Sequence, residues 1–75
     1  MTELKIKEIL IEKDEKFKNL YLKHQEYERT INNLNKIYFK SDNEILKYKR
    51  IKRDKLRLKD LMQLYIDNFR QRLTN

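Results

Sequence analysis

The chain contains no glycine, proline, cysteine or tryptophan, and no alanine or valine either. Each absence excludes something. Without glycine or proline there is little local chemistry for tight hairpin turns, which disfavours a β architecture. Without cysteine there are no disulfides, no thiol catalysis and no thiolate metal site. No uninterrupted apolar run exceeds three residues, as at Ile9–Leu10–Ile11, far short of a membrane span. The opening "MTELKIKEIL" mixes acids with its lysines and offers no small-residue cleavage site, so it does not read as a secretory signal. The expectation is a cytoplasmic bacterial protein, and the Lys, Ile, Asn and Tyr content fits the codon bias of an AT-rich genome.

What is present is charge in quantity and apolar residues in order. Of the 75 residues 41% are charged and 39% apolar, and the net charge is +7. Such a chain is at most one domain and buries too little surface to be comfortably stable alone. Phe17, Leu20, His24, Tyr27, Ile31, Leu34 and Tyr38 step by three and four residues, as do Tyr48, Ile51, Lys55, Leu58, Met62, Tyr65 and Phe69. That alternation is the seam of a helix packed against another helix. It predicts helices over about 3–39 and 43–73, with a turn at about 40–43. The upstream register (Lys13, Leu10, Ile6) crosses the polar run Glu12–Lys16. A kink or break is expected near Asp14, because aspartate caps a second helix start well.

The clearest start signal is Ser41–Asp42–Asn43–Glu44. Ser41 caps the amide of Glu44 while the Glu44 side chain reaches back, and Asp42 and Glu44 both favour the positive end of the helix. The expected fold is therefore all-α, an antiparallel coiled-coil-like hairpin. Folding back at Ser41 pairs Tyr38 with Ile45, Ile31 with Ile51, His24 with Leu58, Leu20 with Met62 and Phe17 with Tyr65. Leu61, Ile66 and Leu73 widen the second helix's stripe beyond what one neighbour covers. They form a candidate partner patch, to be covered by the segment carrying Ile6, Ile9 and Leu10 or by another subunit. Self-association is the favoured expectation.

"FKNLYLKHQEYERTI", then "SDNE", then "IKRDKLRLKD" resemble the YdcH-like family of small bacterial proteins. Phe17, Leu20, His24, Tyr27, Ile31, Ser41, Asp42, Glu44, Lys55, Leu56, Leu58, Lys59 and Asp60 carry the resemblance, over about two thirds of the chain. The stretch from Ser41 to the Lys-Leu-x-Leu-Lys-Asp run is about one helical turn longer than in the family pattern. The resemblance implies a helical hairpin and brings no established activity.

Chemistry-bearing groups are few. His24 is the sole histidine and lies on the seam, with no His or Cys as co-ligand and no nucleophile placed beside it by spacing. It reads as a packed histidine bonded to Asp60 or to a tyrosine hydroxyl. Lys55 reads as a polar insert near Tyr27 and Glu28 that fixes register, joined in one network by Lys59 and Asp60. From Lys47 to Lys59 eight bases face only Asp54, a local charge of +7. Lys49, Arg50, Lys52, Arg53 and Arg57 are the candidate anion-binding residues of that block. The bases are spread around the helix, and a solvated face balanced by Glu26 and Glu28 is the plainer reading. The functional expectation is a self-associating structural or protein-interaction module without catalysis, cofactor or metal. The alternatives are a non-specific nucleic-acid-associated protein and a helical adaptor or chaperone.

Overall fold

The computed structural model describes residues 1–37 and 40–74, and among these it is all-α with no strand. Three helices follow one another: α1 Glu3–Lys13, α2 Glu15–Asn35 and α3 Asp42–Thr74. The molecule measures 52 × 20 × 17 Å, its length set by α3, whose 33 residues rise about 50 Å at 1.5 Å each.

Asp14 divides the first two helices. Its backbone is extended (φ −116°, ψ 107°), and its N–H still donates to the Leu10 carbonyl at 2.8 Å, closing α1. Its Oδ1 accepts from the Phe17 amide at 3.1 Å, opening α2. One residue thus satisfies the end of one helix and the start of the next. Thr2 caps the far end of α1, its Oγ1 accepting from the Lys5 amide at 3.2 Å.

Of the kink or break expected near Asp14, the chain makes the break. A helix continued in the seam register would carry Ile6 and Leu10 away from the rest of the chain. Instead α1 turns back over the groove between α2 and α3, and Ile6 and Leu10 bury against Phe17, Met62 and Ile66. Lys7 then lines the same surface depression as Tyr21, His24 and Lys59.

The core has two parts. Ile6, Leu10, Phe17, Met62 and Ile66 form one cluster, flanked by Ile11, Leu20, Tyr21, Tyr65 and Phe69. Ile31, Leu34 and Ile51 form the other, flanked by Tyr27, Ile37 and Tyr48. Helices α2 and α3 pack closely along both. The start of α2 meets the later half of α3, with the Phe17 and Tyr65 rings 6.0 Å apart and tilted at 52°. The end of α2 meets the first half of α3 through Ile31 and Ile51.

The far end of α2 differs from the expected helix to residue 39. The helix stops at Asn35, where the Lys36 amide donates to Asn33 and the Ile37 amide to Leu34, both at 3.2 Å. These i→i+3 bonds tighten the last turn and close the helix. Tyr38, expected on the seam opposite Ile45, lies outside the described residues, as do Phe39 and Asn75. At the start of α3 the Ser41 and Glu44 groups bond reciprocally, Glu44 N–H to Ser41 Oγ at 3.2 Å and Ser41 N–H to Glu44 Oε1 at 3.0 Å.

Candidate functional site

Helix α3 carries most of the residues singled out for function, and its two sides have different jobs. The inner side holds Ile51, Met62 and Ile66 in the core, with Tyr48, Lys55, Leu58, Tyr65 and Phe69 half-buried around them. Opposite, α2 supplies Phe17, Ile31 and Leu34 as buried residues and Leu20, His24 and Tyr27 as half-buried ones.

Polar groups of the seam gather at mid-length. Lys55 Nζ stands 3.6 Å from Glu28 Oε1, with both side chains partly in water. A pair this exposed contributes at most about 1 kcal/mol, so its value lies in register more than in stability. His24 sits beside it. Burial and then the Lys55 ammonium hold its imidazole below the ordinary value of 6.5. Glu28 opposes this, while Lys7 of α1 and Lys59 of α3 push the same way. Asp60 does not join this network. It is exposed, on the side of α3 away from α2, and among the described residues His24 has no hydrogen-bond partner. The sequence reading missed Lys7, whose approach depends on the reversal of α1.

One lysine of the basic block and Lys40, just before α3, lie over the same aromatic ring. Lys52 Nζ lies 5.5 Å from the centre of the Tyr48 ring, and Lys40 approaches the same ring at 5.8 Å. A cation over a ring face is held by the ring quadrupole. Lys52 is thus partly engaged by a ring, Lys55 is paired with Glu28, and Lys59 lies by His24. Of the block's eight bases, Lys47, Lys49, Arg50, Arg53 and Arg57 remain, all exposed, with no ion pair or ring contact to any of them among the described residues.

The remainder is more ordered than a scatter. At 100° per residue, Leu46, Arg50, Arg53, Arg57, Leu61 and Leu64 fall within an arc of about 80°. They step by 4, 3, 4, 4 and 3 residues, a second seam on the side of α3 turned away from the core. Leu46, Leu61 and Leu64 are 65%, 45% and 57% exposed. Leu46, Lys49, Arg50 and Arg53 line a shallow depression at its N-terminal end.

The expected partner patch of Leu61, Ile66 and Leu73 is not one surface. Ile66 is only 1% exposed, because α1 covers it, so it belongs to the core. Leu61 and Leu73 are twelve residues apart and point about 120° away from each other. Leu61 groups instead with Leu64, one turn further on, while Leu73 stays exposed near the end of α3.

Among the described residues no helix is long and apolar enough to cross a membrane, and no three His, Cys, Asp or Glu residues are grouped as metal ligands are. No protein-family model, curated protein or solved structure matches the chain.

Proposed function

We propose that the chain is a YdcH-like antiparallel helical hairpin, coiled-coil-like along α2 and α3 and closed at one end by α1. In this reading residues 1–75 make a single domain, cytoplasmic, without catalysis, that works by binding another protein helix, from a second copy or from a different protein.

The observation that carries the reading is the outer seam of α3. A helix with one apolar neighbour face is explained by its own fold. A helix with a second heptad-like ridge on the opposite side, ending in three leucines about half exposed or more, has a face suited to another helix. Exposed leucines scattered singly need no explanation, but these share one line with the three arginines between them.

The non-specific nucleic-acid reading draws on the same arginines and the charge of +7. It leaves the leucines of the ridge without a role and ranks second for that reason.

A photo-crosslinking amino acid at Leu64, with a control at exposed Arg29 of α2, tests the reading in the producing cell. The expected result is a protein adduct at position 64 and none at position 29. Absence of any protein adduct at 64, or adducts to nucleic acid alone, contradicts it. Light scattering over a concentration series tests the self-associating form, and a strict monomer at the highest concentration removes that form.

A further inference from the structure

We propose that the outer seam of α3 docks an acidic amphipathic helix of a different protein, whose carboxylates meet Arg50, Arg53 and Arg57 between two leucine contacts. This rests on the protein-interaction reading above and gives the partner its chemistry.

The ridge is about 27 Å long from Leu46 to Leu64, roughly five helical turns. Its order along the helix is leucine, three arginines, then two leucines. Apolar ends separated by a charged centre fit a partner helix that is apolar at its ends and acidic between them. Arginine presents a planar fork of donors that carboxylates fill in pairs, and these three have no ion pair among the described residues. Helix–helix docking over the leucines drives water from the arginines as well. Desolvated guanidinium groups facing an apolar helix would be costly, so the chemistry opposite them must be anionic. Lys49 at the margin of the ridge adds to the same potential.

The other occupants fit less well. A second copy laid antiparallel over the ridge places Arg53 against Arg57 of its partner, and a parallel copy places each arginine beside its equivalent. Like charges at such positions select against self-pairing. An anionic membrane is met by helices whose apolar residues form one continuous face with the bases along its margins. Here the arginines lie between the leucines on one line, so lowering the leucines into lipid would carry the arginines with them. A nucleic-acid backbone satisfies the arginines and leaves Leu61 and Leu64 in water.

The test is binding of labelled synthetic helices to the full chain. One probe has leucine at its terminal seam positions and glutamate at the three central ones, a second has glutamine there, and a third has lysine. A 20-base-pair duplex and phosphatidylglycerol vesicles complete the set. The Glu helix is expected to bind at least tenfold more tightly than the Gln helix and to weaken with added salt. The triple variant R50E/R53E/R57E changes only exposed residues. With its helicity checked by circular dichroism, it should lose the Glu helix and gain the Lys helix. Equal binding of Glu and Gln helices overturns the acidic assignment while leaving the interaction reading intact. Binding of duplex or vesicles at concentrations where the Glu helix does not bind overturns the proposal in favour of that ligand. Failure of every helix together with no protein adduct at Leu64 overturns both readings.

Discussion

The two ends of the molecule are built from the same helices and packed to different depths. Where α1 lies over α2 and α3, the central Ile6 and Phe17 lose all contact with water and Ile66 nearly all, while Leu10 and Met62 at the edge keep a little. Where α2 and α3 pair alone, Ile31, Leu34 and Ile51 each keep a remnant of exposure, and Tyr27, Ile37 and Tyr48 only half cover them. A two-helix seam has an open side and a third helix closes it. That difference converts a row of contacts into a core, and it decides which face of α3 is left outside.

Substitutions should separate the ends in order of size. Phe17→Ala, which empties the centre of the covered end, is expected to cost about 3–5 kcal/mol, enough to unfold most of so small a chain at 25 °C. Ile51→Ala at the open end should cost about 2 kcal/mol, because water and flexible neighbours relieve part of the cavity. Urea titrations of both variants measure this, and an Ile51 variant as damaged as the Phe17 one would break the comparison. Asp14→Ala removes a side-chain acceptor at the reversal and should cost about 1 kcal/mol. Its amides at Phe17 and nearby should exchange faster than those around Ser41, and uniform exchange would argue against Asp14 as the pivot.

The smallest expected effect is one of pH. His24 is held below its ordinary 6.5 by burial and by Lys55, Lys7 and Lys59, with Glu28 opposing. The unfolded chain therefore binds a proton that the folded chain resists. The associated stability is fully present above about 6.5 and is lost as pH falls from there toward the lower folded value. Melting temperature should decline between pH 7.5 and 5, and His24→Gln should flatten that decline. An unchanged slope in the variant would assign it to other groups. Glu44 acts with the same sign in the acid range. The Ser41 backbone amide and hydroxyl hold its carboxyl below the usual range, so the cap persists above that range and loosens on strong acidification.

Much of this was legible in the sequence, and the parts that were not have two causes. The Ser41–Glu44 cap needs only four residues, and the seam from Phe17 to Leu34 needs only helical spacing. The contacts of Phe17 with Tyr65 and of Lys55 with Glu28 follow from laying one seam on the other. The fold-back of α1 does not follow from spacing, because Ile6 and Leu10 continue the register equally well in a straight helix. Only tertiary burial against Met62 and Ile66 separates the two. That step is one of the two ways expected to cover Ile66, and it also brought Lys7 to His24. The outer ridge was obscured for another reason. Eight bases in thirteen residues look like an even coat of charge until Tyr48 and Glu28 engage Lys52 and Lys55.

Whether α1 or a second copy covers Ile66 bears on everything above, since it sets which face of α3 remains for a partner. Isotope-filtered nuclear Overhauser spectra on a mixture of labelled and unlabelled chains read this directly. The account predicts a strong contact between the Ile6 and Ile66 methyl groups within one chain. The same contact appearing only between chains would mean that a second subunit closes the core, and would contradict it.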